Sequence, residues 1–422
     1  MCVALLISIG VPALADDTNL RNEEYLDFNY GGSADKGGAA DWIQAIKVLS
    51  PAYRSDVKGD VTVEFEAKGM NIAKAMCWQQ PQAGDTDKWG HDAIIASAIP
   101  LSESGKGSFV FKADEFPNGP INIRIFARSK EGKKDICELQ LYNTGGVKWN
   151  QGMPKTPPPA AKGMTVAFED EFDTMPTISA DGKGTRYSAH KPTFGDFSGW
   201  PFTSPQGVGK PFAQRDTYLL IHASKEPGTK GMSGLLSPVA MDLSGYWAKP
   251  PFYMECRFIA QAAPGTWPAF WTVTNTEKGM PGDELDIVEA YGGVGRTLKG
   301  EPTPNHPGYS ITSHFWGQWL PDGKTKKNGV NKRIDIMNLG GKSYWSTTFH
   351  TYGLYVDDTD TIYYFDDIEV LRHPTNSYSK NPHVFMINYA IGGISGWKVD
   401  LERYGNASDM YVDFVRVWEK KD

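Results

Sequence analysis

The run Gly282-Asp283-Glu284-Leu285-Asp286-Ile287-Val288-Glu289-Ala290-Tyr291 sets Glu284, Asp286 and Glu289 among aliphatic residues, in what otherwise reads as a buried strand. Side chains on a regular strand alternate faces, so Glu284 and Asp286 share one face while Leu285 and Ile287 turn towards a core. Glu289 lies five positions after Glu284, an odd step that would put it on the wrong side. A β-bulge near Ile287-Val288 takes up one residue and returns Glu289 to the face of the other two. The pattern therefore predicts a kinked strand within a sheet, with these acids on one surface.

Acids so placed suit the hydrolysis of a glycosidic bond with retention. That reaction needs a carboxylate nucleophile and a second carboxyl, first acid and then base, about 5–5.5 Å apart. Glu284 is the expected nucleophile and Glu289 the proton donor, its proton affinity raised by the negative charges beside it. Once Glu284 is esterified by sugar, one of those charges is gone and Glu289 becomes able to activate water. Asp286 would orient Glu284, and the acids would titrate as a coupled group. Spacing alone leaves two other readings open: a solvated acidic face, or a calcium site.

With these residues in place, the chain resembles glycoside hydrolase family 16, whose bulged subgroup carries Glu-x-Asp-x-x-Glu, matched by Glu284, Asp286 and Glu289. Phe168-Glu169-Asp170-Glu171-Phe172, Ser233-Gly234-Leu235-Leu236-Ser237, Gly265-Thr266-Trp267-Pro268-Ala269-Phe270-Trp271 and Ser313-His314-Phe315-Trp316 are similar to family segments in order and spacing. So are Phe349 to Leu354 and Met410 to Val417, and the likeness covers roughly residues 164 to 420. It implies a concanavalin-like jelly roll and a laminarinase-like endo-β-1,3-glucanase. Asp283, Leu285 and Val288 depart from the usual laminarinase run, which has a small residue, Ile and Met there. Arg186 to Gly209, rich in aromatics, Gly and Pro, matches no assignable pattern.

The chain has 422 residues with 45 Gly and 28 Pro punctuating short β-branched and aromatic runs, which favours two all-β domains. Thirteen Trp and 19 Tyr exceed what cores usually need, and exposed rings are what sugar faces stack on. A formal net charge of −7 and the lack of a basic aromatic motif argue against nucleic acid as partner. Lys324-Thr325-Lys326-Lys327 with Lys332-Arg333 reads as a solvated loop face. Residues 1–15 read as a secretory signal, too short to span a bilayer and ending in Ala13-Leu14-Ala15, so the location expected is secreted or periplasmic with no membrane insertion. Cys77 and Cys137, if oxidised, would close a loop of roughly 60 residues worth about 4 kcal/mol. Cys256 reads as a buried inert thiol, and no Cys or His spacing suggests zinc.

The expected order is a signal peptide at 1–15, an immunoglobulin- or fibronectin-like β-sandwich at 43–146, a Pro-rich linker at 147–163 and the jelly roll at 164–420. In the first sandwich, strands are expected at Ile46 to Ser50, Val61 to Ala67, Ala73 to Gln79, Ala93 to Ala98, Gly107 to Ala113, Ile121 to Ala127 and Ile136 to Tyr142. Its modest aromatic content favours a spacing role over carbohydrate binding, and Pro157-Pro158-Pro159 favours an extended, semi-rigid linker. In the cleft, Trp267 and Trp271 share a face with Ala269 and are placed to stack on sugars. His314 and Trp316 share a face too, and the family likeness implies that His314 lies near Asp286 and that the aromatic helps to bind sugar. Tyr291 and Asn388 are further candidates, as are Tyr389 and Trp397, which ordinary packing also explains. The substrate expected is a polysaccharide or oligosaccharide, cleaved by a monomer without metal or organic cofactor. Galactan cleavage or transglycosylation on the same scaffold remains open, as does a lectin with vestigial acids.

Overall fold

The computed structural model describes residues 43–80, 90–148, 156–192, 196–227, 229–275, 282–292, 308–315, 329–334, 336–339, 345–392 and 399–421. The signal-like residues 1–15, Trp316, the Lys324–Lys327 run and Trp397 lie outside the described residues. The chain is all-β, its described helical turns being short 3₁₀ segments.

In the N-terminal module the strands Ile46–Ser50, Asp60–Ala67 and Lys106–Lys112 pair in that order as one sheet. A second sheet runs Asp56–Val57, Lys134–Asn143, Gly119–Arg128, Ile72–Gln79, His91–Pro100. The first sheet obeys simple alternation: Val63, Phe65, Phe109 and Phe111 point inward while Glu64 and Val110 are exposed. The second sheet breaks it. Asn122, Arg124, Glu138 and Gln140 lie on its other face, yet all four are buried. That face is covered by the C-terminal module. Ser346 Oγ donates to Glu138 Oε2 at 2.7 Å, Ala262 N donates to Glu138 Oε1 at 2.8 Å, and Gln140 Nε2 donates to Asp409 O at 3.1 Å. Arg403 reaches Asp135 at 2.6 Å, and Arg54 bonds the Tyr404 and Ala407 carbonyls. The module is thus docked through a polar seam.

Two expectations are corrected. Cys77 and Cys137 are free buried thiols on strands separated by Gly119–Arg128. Two inter-strand spacings, about 10 Å, exceed the Cα separation a disulfide tolerates. The triproline segment is not extended throughout: Pro159–Ala161 forms a 3₁₀ turn, and Ala161 is buried against Tyr253 and Trp418.

The C-terminal module is a sandwich of the jelly-roll kind. One sheet runs Phe212–Arg215, Tyr218–Ser224, Ala407–Glu419, Phe252–Ala260, His350–Val356, Asp360–Phe365, Ile368–Pro374, with Thr165–Asp170 also paired to Ala407–Glu419. The other runs Leu235–Leu236, His383–Ile391, Thr266–Thr274, Asp283–Glu289, Tyr309–Phe315, Val330–Ile334. Between them lies an apolar core that includes Phe252, Met254, Cys256, Phe270, Leu285, Val288, Leu354, Ile387 and Val412. Burial of such side chains, about 1.5–3 kcal/mol each, is what holds the second sheet against the first. The outer face of this second sheet carries Trp267, Ala269 and Trp271 in a separate cluster with Phe202, Leu235 and Met386.

Candidate active site

The strand Asp283–Glu289 sits between Thr266–Thr274 and Tyr309–Phe315, and its bulge is visible from both sides. Towards the tryptophan strand, Asp286 pairs with Trp271 and Val288 with Phe270, so Ile287 is the extra residue. Towards the histidine strand, Asp286 faces Thr312 and Glu289 faces Ser310, leaving Ile287 and Val288 opposite Ile311 alone. The reason is packing: Leu285, Ile287 and Val288 are all in the core, which a strictly alternating strand could not arrange. The kink leaves Glu284, Asp286 and Glu289 lining one cavity of about 170 Å³, together with Lys191, Trp267, Trp271 and Asn388.

The three acids have different surroundings. Glu284 is half-buried. Asp286 is buried, and burial, followed by the charge of Glu289, pushes its carboxyl well above the usual range. Burial also raises Glu289, opposed by hydrogen bonds from Tyr291, Trp267 and Thr312 and by His314. The Tyr291 hydroxyl donates to Glu289 Oε1 at 3.0 Å and Thr312 Oγ1 to Oε2 at 3.5 Å. Desolvation therefore outranks the neighbouring charges that the sequence suggested as the cause. Burial thus holds the proton affinity of both Asp286 and Glu289 above that of an isolated carboxyl.

His314 pairs with Glu284 across the strand and brings Nε2 to 3.3 Å from Asp286 Oδ2 and 3.8 Å from Glu284 Oε1. Asn388 is buried and accepts from the Trp271 indole at 2.8 Å, which fixes that ring rather than offering its oxygen to the cavity. Trp267 and Trp271 are each 8% exposed because Phe197 packs edge-on against both, with centroids at 5.3 and 5.7 Å. They line the cavity, but less of their surface is open to sugars than their strand positions implied. Tyr389 is fully buried and donates to the Gln261 carbonyl, which is a packing role.

Three participants escaped the sequence reading. Lys191 and Phe197 come from the segment that matched no pattern, and only the fold brings them to the acids. Asp283, a departure from the family run, is fully buried and accepts from Asn376 Nδ2 at 2.7 Å and Ser379 Oγ at 2.8 Å. Its backbone N–H donates to Thr274 Oγ1 at 3.0 Å, so it anchors the start of the acidic strand. Among the described residues, Glu284, Asp286 and His314 each offer one atom within 4.8 Å of one another, an arrangement that could hold a metal ion. A cation there would occupy the same oxygens that a nucleophile and its neighbour need free.

No known protein-family profile matches the chain. Two curated relatives from Rhizobium meliloti (strain 1021) do. Endo-1,3-1,4-beta-glycanase ExsH is 26% identical over 277 residues, covering 60% of this chain and 52% of the relative. Endo-1,3-1,4-beta-glycanase EglC is 26% identical over 283 residues, again 60% and 52%. The C-terminal sandwich resembles the laminarinase-like glycoside hydrolases of family 16. The chain spans about half the length of the curated relatives it matches, 52% in each. Among solved structures, a non-specific endo-beta-1,3(4)-glucanase of family 16 aligns at 22% identity and TM-score 0.46, covering 63% of this chain and 94% of that one. The laminarinase catalytic domain of Thermotoga petrophila RKU-1 aligns at 18% and 0.42, covering 61% and 99%.

Proposed function

We propose that this protein is a retaining endo-β-glycosidase acting on a β-1,3-linked glucan, with Glu284 as nucleophile and Glu289 as acid and then base. The carrying observation is the bulge, which turns Glu284, Asp286 and Glu289 to one cavity walled by Trp267 and Trp271. Half-buried Glu284 is the carboxylate best placed to attack an anomeric carbon. Glu289, whose proton affinity is raised by burial, gives its proton to the departing oxygen. Asp286 lies between the two, its proton affinity raised by burial and by the charge of Glu289, and in its protonated form it can donate a hydrogen bond to Glu284. Having given up its proton, Glu289 is left as a carboxylate; the glycosyl ester removes the charge of Glu284 beside it, which keeps Glu289 ionised until it takes a proton from the attacking water. The relatives named for 1,3-1,4-β-glycan cleavage support this substrate class.

The test is incubation of purified protein with laminarin, mixed-linkage glucan, agarose and carrageenan, following product size by chromatography and anomeric configuration by NMR. Short oligosaccharides from laminarin, first released as the β-anomer, are expected. Products of the inverted configuration would overturn the mechanism. Cleavage of agarose or carrageenan alone would move the substrate to a galactan, and binding without release would make the sandwich a lectin.

A further inference from the structure

Lys191 brings to the cavity a cation that the proposed reaction has not used. It stands on the loop after Tyr187–Ser188, is half-buried and lines the cavity with the acids. Its ammonium lies 4.9 Å from the centre of the Phe197 ring. Phe197 is itself fixed edge-on against Phe202, Trp267 and Trp271, so the ammonium stands over a braced aromatic surface. Partial burial pulls the ammonium's proton affinity down, and the carboxylates of Glu284 and Asp196 counter it. Asp196 is tied in turn to the Phe202 N–H at 3.0 Å and faces His190 at 3.6 Å, which holds the far end of the arrangement in place.

Resting on the functional reading above, we propose that Lys191 is a positioning residue for the nucleophile: its cation holds Glu284 ionised and oriented in a cleft that otherwise gathers negative charge. The charged and titratable groups facing Glu284 are Asp286 on its own strand, Glu289 across the bulge, His314 on the next strand and Lys191 from the loop. Asp286 and Glu289 both oppose a charge on Glu284 whenever they are ionised. Lys191 is the lysine of the cavity wall that offsets this. Its loop position lets it act without a place in the sheet, so it is separable from the fold.

The experiment compares the wild type with Lys191→Met, which removes the charge from an unbranched side chain of similar length, and Lys191→Arg, which keeps the charge. Two readouts are taken. The first is the carboxyl titration of Glu284, followed by NMR on carbon-labelled glutamate and assigned by loss of the signal in Glu284→Gln; it needs no turnover. The second is the acidic limb of kcat/KM on laminarin. Lys191→Met is expected to move both to higher pH by about one unit and to lower kcat, and Lys191→Arg to restore most of each. An unmoved Glu284 titration in Lys191→Met overturns the proposal, as does a rise in KM with kcat and the limb unchanged, which would make Lys191 a sugar contact. The functional reading fails separately, if Glu284→Gln turns over as the wild type does.

Discussion

At the seam between the modules, Asp135 and Glu138 are as deeply buried as Asp286 in the cleft, and burial raises the proton affinity of all three. What surrounds them differs. Asp135 accepts from the Ala45 and Ile46 backbone N–H groups and from Arg403, and Glu138 accepts from Ala262 and Ser346. Each seam acid is enclosed by donors that cross from one module to the other or between neighbouring strands. In the cleft, Asp286 and Glu289 face each other, a half-buried Glu284 and an open cavity. An elevated proton affinity thus belongs equally to an acid enclosed by donors and to one that lines a cavity. The distinction lies in whether like charges are gathered where a reagent can reach them.

The largest expected effect tests that distinction directly. Glu284→Gln should lower kcat on laminarin by roughly 10³-fold or more while leaving Tm and oligosaccharide binding near wild type. At the seam the pattern reverses. Arg403→Met strands buried Asp135 and should cost about 3–5 kcal/mol in urea unfolding with little change in kcat. If Arg403→Met loses turnover while remaining as stable as the wild type, the two regions are coupled and the comparison breaks.

Glu138 sharpens it further. Its carboxyl is pushed up to about 8 from 4.5, chiefly by burial. The native state therefore keeps a proton that the unfolded chain has lost, and its contribution to stability is present at low pH and falls as pH rises between about 4.5 and about 8. For one such group the loss is on the order of 5 kcal/mol. Glu138→Gln mimics the protonated form: its oxygen can accept from Ala262 and its amide can donate to Ser346. The variant should flatten that part of the decline, measured as unfolding free energy at about pH 5 and about pH 8. An unchanged slope would remove Glu138 from the account. Asp286 and Glu289 contribute in the same direction, so some slope persists.

The legible parts of this molecule are those where period and chemistry coincide. Both strand families were readable because Val63-x-Phe65 and Trp267-x-Ala269-x-Trp271 keep the two-residue period. The bulge was readable because three acids on one face conflict with that period. The seam was not. Asn122, Arg124, Glu138 and Gln140 look like an ordinary solvated strand face, and nothing local reveals that a second module covers it. Lys191 and Phe197 were illegible for a related reason. They sit on a loop without period, and their meeting with Trp271 and Glu284 is decided by tertiary structure alone. The aromatic surplus pointed to a cleft but overstated how much ring surface is open, since Phe197 covers part of it.

Asp283 lies between the two regions, next to Glu284 in sequence but enclosed like a seam acid, and gives the smallest and most discriminating effect. Its carboxylate takes hydrogen bonds from Asn376 and Ser379, and burial raises its proton affinity against them. Asp283→Ala leaves both donors without that acceptor, which should cost about 1–3 kcal/mol of stability. Because the Asp283 N–H remains bonded to Thr274 Oγ1, the strand start stays in register and Glu284 keeps its place. The expected result is a lowered Tm with kcat on laminarin reduced less than roughly tenfold. A loss of turnover as deep as that of Glu284→Gln, at unchanged Tm, would put Asp283 among the cleft acids instead, and the line between enclosed and reactive carboxyls would have to be drawn one residue earlier along the strand.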